Sequence, residues 1–199
     1  MNEKLERLLS YEPTPYVIRL PARFRECSFN NFDWADQNPK TWETILDFVE
    51  DRLVDAKGMP KGLYFYGPFG VGKSHLLSSL YRVMAHKFGE VCEMEYISFA
   101  DLISEIKARF GPNGNASEFE IEMKEKDYLF LDDITAIRLT DYAAEVFDRF
   151  VQYRYDHGKR MLITAQSPLS KLSVDDHARS RLFEMCVLLE IKGQDKRLG

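Results

Sequence analysis

Leu63-Tyr64-Phe65-Tyr66 runs directly into Gly67-Pro68-Phe69-Gly70-Val71-Gly72-Lys73-Ser74. The second stretch fits G-x-x-x-x-G-K-[ST] at every position. Its context is the one that chemistry needs, with an apolar strand before it and an amphipathic helix after it. That helix carries Leu77, Leu80, Tyr81 and Met84 on one side and stops at Gly89. Glycines let the backbone curl so that successive N–H groups point inward at phosphate oxygens. The helix N-terminus adds its partial positive charge. Lys73 then reaches the β- and γ-phosphates, and the Ser74 hydroxyl ligates Mg²⁺. His75 follows in the helix, and Gly67 to His75 form the candidate nucleotide-binding stretch, with His75 expected to pack there. A chance match in a chain of this length arises on the order of once per hundred chains, and the flanking strand and helix make it rarer. ATP and Mg²⁺ are the expected ligands.

Working outward, 58 residues past Ser74, Leu129-Phe130-Leu131 ends in Asp132-Asp133. Taken alone, an apolar strand ending in a polar turn is common. After a phosphate loop, a strand-end Asp is where the Mg²⁺ shell is held, and the next acid orients and polarises the attacking water. Asp132 is therefore assigned to the metal and Asp133 to the water.

The rest of the chain alternates. Asn38-Pro39 opens a helix with Trp42, Ile45, Leu46, Val49 and Leu53 at helical spacing, expected to run to Gly58 and Pro60. Met94 to Ile97, Met161 to Thr164 and Cys186 to Ile191 are further apolar strands. Helices carry Phe99, Leu102, Ile103, Ile106 and Phe110 (Ser98 as cap, with Asp101 completing a capping box), then about Ser117 to Lys126, then Ala143, Val146, Phe147, Phe150 and Val151. Strands that are nearly continuous apolar runs, alternating with helices, predict a five-stranded parallel sheet covered on both faces, a three-layer α/β sandwich. Residues 1–19 read as a short helix plus an extended, proline-bearing connector, and 20–199 as one nucleotide-binding domain. Leu5, Leu8 and Leu9 make an apolar stripe too short to fold alone, which is expected to serve a partner.

Composition excludes several classes. With 45% apolar and 13% aromatic residues in 199, intrinsic disorder is ruled out. No apolar run approaches the roughly 20 residues that cross a bilayer, so no membrane partner is expected. Cys27, Cys92 and Cys186 lie far apart and form no metal-ligand pair, which fits a reducing, cytoplasmic setting. The net charge of −5 excludes a uniformly basic nucleic-acid coat and leaves room for a local basic groove.

The order of phosphate loop, acid-tipped strand, polar-tipped strand and a later Ser180-Arg181-Leu182 resembles an AAA+ ATPase. Within that class the chain is similar to the bacterial DnaC/DnaI helicase loaders and the related IstB transposition ATPases. The stretches that carry this are Leu20 to Arg25 with Ser28 to Phe32, Lys61 to Gly67, Leu131-Asp132-Asp133-Ile134, Tyr153-Arg154-Tyr155, and Ile191 to Arg197. The resemblance covers about residues 20 to 198. It implies a sensor residue after the Thr164 strand, matched by Gln166 with Thr164 as the alternative. It implies an arginine finger, matched by Arg181 with Arg179 competing, and a sensor-2-like arginine, matched by Arg197. Without the resemblance each arginine would read as a solvated surface charge. Only 18 residues follow Arg181, so no C-terminal lid domain is expected, which favours the loader and IstB branch over DnaA-type initiators.

The implied activity is slow ATP hydrolysis, with self-association through the ATP site, single-stranded DNA and a replicative DNA helicase as partners. A duplex-binding transposition regulator and a non-hydrolysing ATP-dependent adaptor stay open as alternatives. Phe29 or Phe32 is expected near the adenine. Phe99, Phe110, Tyr153 and Tyr155, with Lys107, Arg109 and Arg154, read better as core aromatics and a solvated helix face than as a path for single-stranded DNA.

Overall fold

The computed structural model describes residues 3–13, 20–135 and 140–196. Five strands, β1 (Gly62–Tyr66), β2 (Met94–Ser98), β3 (Tyr128–Asp132), β4 (Arg160–Ala165) and β5 (Cys186–Glu190), form one sheet. It is parallel throughout, in the order β2-β3-β4-β1-β5. Seven α-helices accompany it among the described residues: α1 (Glu3–Leu9), α2 (Pro39–Val49), α3 (Lys73–Phe88), α4 (Phe99–Ala108), α5 (Ala116–Glu125), α6 (Asp141–Asp156) and α7 (Asp176–Met185). None of these helices is long and apolar enough to cross a membrane, and among the described residues no helix follows β5.

The strands are apolar on both sides because both sides are covered. Leu63, Phe65, Phe130 and Leu162 point into a core with α2 and α3 residues such as Ile45, Phe48, Leu76, Leu77 and Leu80. Their neighbours along the strands, Tyr64, Leu129, Leu131, Met161 and Ile163, point the other way. There they meet Phe99 and Leu102 of α4, Val146, Phe147 and Phe150 of α6, and Leu182 of α7. This is the expected three-layer sandwich.

Local expectations are met with two adjustments. Asn38 caps α2 through its side chain, accepting from the Lys40 N–H (3.0 Å), with Pro39 in the first turn. The helix nevertheless ends at Val49, short of Gly58. Asp51 takes φ +60°, and the Arg52 N–H closes back on the Asp47 carbonyl at 2.8 Å, so Leu53 packs from outside the helix. At α4, Asp101 donates its N–H to the Ser98 hydroxyl (3.1 Å). Its carboxylate accepts from that same hydroxyl (2.6 Å), where the expected box has it accept from the Ser98 N–H.

The Leu5/Leu8/Leu9 stripe is spent within the chain. Leu8 is fully buried in the α2–α3 core, with Leu5 and Leu9 packed against it. Arg7 pairs with Glu50 at 2.6 Å, and Asn30 Nδ2 donates to the Leu9 carbonyl at 3.1 Å. The apolar face expected to serve a partner therefore lies against α2 and residues 29–31. Connector residues 14–19 lie outside the described residues.

Candidate functional site: a phosphate loop at the strand ends

The sheet order places β4 between β1 and β3, so the loop after β1 and the acids after β3 both border the end of β4. Ligands in such parallel sheets bind beyond the carboxyl ends of the strands. Here the cleft has a volume of about 200 Å³ and is lined by Phe24, Phe69, Gly70, Gly72, Lys73, Ser74, His75, Asp133, Thr164, Gln166 and Lys196. A roomier hollow of about 340 Å³ lies at the other ends of the strands, among Met59, Lys61, Tyr155 and Met185, and contains none of the phosphate-loop residues.

The loop has the geometry its glycines allow. Gly70 and Gly72 take φ +73° and +98°, and Gly72 is the left-handed N-cap from which α3 begins at Lys73. A side chain at Gly72 would also collide with Phe32, whose Cε2 lies 2.6 Å from where a Cβ would stand. Pro68 and Phe69 form the exposed tip, and Val71 is buried. The Lys73 ammonium donates to the carbonyls of Gly67 (2.8 Å) and Pro68 (2.6 Å), so it is folded back across the loop mouth.

The acidic pair is joined to the loop by hydroxyls. Asp132 is 5% exposed, and its Oδ1 accepts from Ser74 Oγ (2.8 Å) and Thr164 Oγ1 (2.6 Å). Thr164 in turn accepts from the Asp133 N–H at 2.7 Å. Tyr96 also sits here. Burial and the neighbouring Asp132 carboxylate push its phenol far above the ordinary 10.0, so it stays protonated. Asp133 turns out of the strand with φ +49°, in the left-handed region where Asp is enriched. Its carboxylate faces the cleft and accepts from Thr135 Oγ1 at 2.9 Å.

Among the described residues no group of three or more His, Cys, Asp or Glu side chains could hold a metal by itself. The Ser74 hydroxyl and Asp132 carboxylate are hard oxygen donors 2.8 Å apart beside the loop. That is the kind of set Mg²⁺ uses when substrate phosphates and water supply its other ligands, so the residues fit the ion.

The other expected residues divide. Gln166 lines the cleft, its N–H donating to Thr135 Oγ1 at 3.1 Å. His75 lines the cleft too, but its Nε2 is 2.9 Å from the Ser28 carbonyl and burial lowers its pKa, so it ties α3 to the segment before α2. Arg181 lies apart, in an open depression with Asp148, Arg149, Gln152, Asp175 and His177, its guanidinium 5.9 Å from the centre of the Tyr155 ring. Arg179 is engaged locally, with Asp176 and the carbonyls of Leu172 (3.0 Å) and Val174 (3.1 Å). Arg197 lies outside the described residues.

Phe29 and Phe32 are buried, and the aromatic of that segment lining the cleft is Phe24. Phe99 is core, as expected, but Phe110 and Tyr155 are exposed and Tyr153 is half-buried, so the core reading fails for those three. Arg154, grouped by sequence with a solvated face, is buried and spends its guanidinium on the carbonyls of Lys124, Lys126, Asp127 and Arg160. Sequence spacing undervalued Thr164 and missed Lys196. Beyond the resemblance, which made Thr164 the alternative to Gln166, its signal was a hydroxyl at the end of an otherwise apolar strand.

Comparison with known proteins agrees with the fold. The chromosomal replication initiator DnaA 1 of Chlamydia pneumoniae is 25% identical over 94% of this chain and 40% of its own length. The crystal structure of a DnaC helicase loader superposes with a TM-score of 0.71 at 26% identity, covering 86% of this chain and all of that one. A DnaA initiator bound to AMPPCP and single-stranded DNA superposes at 0.70 with 23% identity, over 88% of this chain and 51% of that one, a likeness of fold. The chain spans between 28% and 40% of the initiators it matches in Chlamydia, Clavibacter and Leptospira. The expected AAA+ architecture is thus found with loaders and initiators alike. Since the profile of the bacterial DnaA ATPase domain matches residues 27–190, the chain belongs to that family, and its core is an AAA+ P-loop domain.

Proposed function

We propose that the chain is an ATP-dependent helicase loader of the DnaC/DnaI kind, which binds ATP and Mg²⁺ at this cleft and hydrolyses ATP slowly during DNA replication. The observation that carries the nucleotide reading is the joint at Asp132, where one carboxylate meets the Ser74 hydroxyl of the phosphate loop and the Thr164 hydroxyl of β4. The likeness to a DnaC helicase loader, over 86% of this chain and all of that one, supports the loader reading.

In this mechanism the loop N–H groups from Gly67 to Ser74 bind the phosphates. Lys73 exchanges the Gly67 and Pro68 carbonyls for β- and γ-phosphate oxygens. Ser74 and Asp132 would hold Mg²⁺, which when bound would supply positive charge against the phosphates. Asp133 orients and polarises the attacking water from the cleft side. Gln166 offers an amide to the γ-phosphate. Arg181, which lies outside its own cleft, serves a neighbour's nucleotide in a self-assembly, and Arg197 takes the sensor-2-like role. Hydrolysis changes the grip on single-stranded DNA and on a replicative helicase.

Two measurements test this. Asp133→Asn should keep ATP binding and lose turnover by about tenfold or more, since positioning and electrostatics dominate phosphoryl transfer. Survival of turnover within about twofold removes Asp133 from that role. Filter binding should favour single-stranded over duplex DNA in an ATP-dependent manner. A preference for duplex moves the reading to an IstB-like transposition regulator, and absence of any turnover moves it to an adaptor.

A further inference from the structure

The main chain after β5 stays on the phosphate loop. The Ile191 N–H donates to the Tyr66 carbonyl at 2.7 Å, and the Lys196 N–H donates to the Gly70 carbonyl at 3.2 Å. Two loop glycines touch it. A Cβ at Gly67 would stand 2.3 Å from the Ile191 carbonyl oxygen, and one at Gly70 would stand 1.7 Å from Asp195 Oδ1 and 2.8 Å from Asp195 Cα. Residues 191–196 therefore form a strap laid against the loop.

The strap is held by the segment that precedes α2. Gln37 is buried at 6% exposure and clasps Lys192 at the main chain. Its Nε2 donates to the Lys192 carbonyl (2.6 Å) and its Oε1 accepts from the Lys192 N–H (3.1 Å), across 155 positions of sequence. A carboxamide that donates to and accepts from one residue fixes both the place and the orientation of that peptide. A second tie joins Lys196 Nζ to Asp33 at 3.2 Å, at the surface.

We propose that Gln37 is a positioning residue for the phosphate loop, acting through the strap 191–196. This rests on the nucleotide-site reading above. The loop's curl depends on glycines, which lose more conformational freedom on ordering than any other residue and offer no side chain to hold them. The strap supplies packing and hydrogen bonds at Gly67 and Gly70 from outside the cleft. Linkage then runs both ways. If the strap holds the loop in the form that binds phosphate, bound nucleotide holds the strap closed by the same factor.

The test uses the full chain. ATP affinity is measured by calorimetry with Mg²⁺ present, and tryptic cleavage after Lys192 is timed with and without ATP. In the wild type, ATP should slow that cleavage by about fivefold or more, the lower end of common coupling between sites. Gln37→Ala should bind ATP about fivefold more weakly, be cleaved faster, and lose ATP's protection in proportion. A glutamine serving stability alone would change cleavage or melting and leave ATP affinity where it was. A folded Gln37→Ala variant with wild-type ATP affinity overturns the proposal, as does a wild type that binds ATP without any change in cleavage. If Gln37→Ala does not fold, Gln37→Met, which keeps the side-chain length and loses both hydrogen bonds to Lys192, carries the test, with the same directions expected and unchanged affinity and cleavage overturning it. A wild type that binds no ATP removes the site reading itself, and the proposal with it.

Discussion

Replacing Thr164 by valine tests how the site is joined. The side chains have nearly the same shape, and Thr164 is 1% exposed, so the change removes one hydroxyl from a packed position. That hydroxyl does two jobs, donating to the Asp132 carboxylate at 2.6 Å and accepting from the Asp133 N–H at 2.7 Å. A hydrogen bond to a charged group contributes about 1.5–3 kcal/mol, and an orphaned buried donor costs about 1–3 kcal/mol. The valine methyl returns about 1 kcal/mol of apolar burial. The net loss should be about 3 kcal/mol, which for a domain of this size lowers Tm by roughly 6–12 °C. Thr164→Ser keeps the hydroxyl and gives up a methyl, so it should lose about 1 kcal/mol. Thermal unfolding followed by circular dichroism ranks the three proteins. If the valine variant melts within about 2 °C of wild type, or above the serine variant, the hydroxyl does not join Asp132 to the Asp133 turn.

Arg181→Ala should bind ATP normally and hydrolyse it poorly in the assembly, since an arginine supplied in trans is worth about 10³–10⁵ in related enzymes. Mixing it with Lys73→Ala should restore part of the rate, and a mixture no faster than its components refutes the trans role. Glu120, which does not line the cleft, gives a pH test. Arg149 grips its carboxylate through two nitrogens at 2.8 Å each, and with Lys124 pulls its pKa from the ordinary 4.5 to about 2. The folded value lies below the unfolded one, so the stabilisation is present above pH 4.5 and is lost as pH falls toward about 2. Glu120→Gln should therefore melt below wild type at neutral pH, with the gap closing across that window. A gap of constant size from pH 7 to pH 2 would show that the loss comes from packing.

What could be read from the sequence was local and periodic. The apolar runs gave the five strands, and their lack of polar alternation gave a sheet buried on both faces. The phosphate loop and the acid pair were legible because backbone curl, cation and metal ligand follow one another at fixed spacing. What stayed hidden depends on distant parts meeting. Nothing in the sequence near Arg154 says that its guanidinium collects four carbonyls in the interior. The Leu5/Leu8/Leu9 stripe announces a partner and cannot say that the partner is α2. The end of α2 was misplaced because apolar spacing continues to Leu53, while one residue, Asp51 at φ +60°, breaks the helix. Gln37 and Lys192 are silent in sequence because a side-chain clasp on main chain leaves no pattern at a separation of 155 residues.

The central claim is that the cleft beside Lys73 binds ATP. Titration of the wild type and Lys73→Ala with a fluorescent ATP analogue in the presence of Mg²⁺ tests it most directly. Lys73 already bridges the Gly67 and Pro68 carbonyls at the loop mouth, so its loss removes the cation that would balance the β- and γ-phosphates. The account predicts saturable binding by the wild type and loss of binding by a folded Lys73→Ala. Equal affinity in the two proteins, or no binding by the wild type, would contradict it.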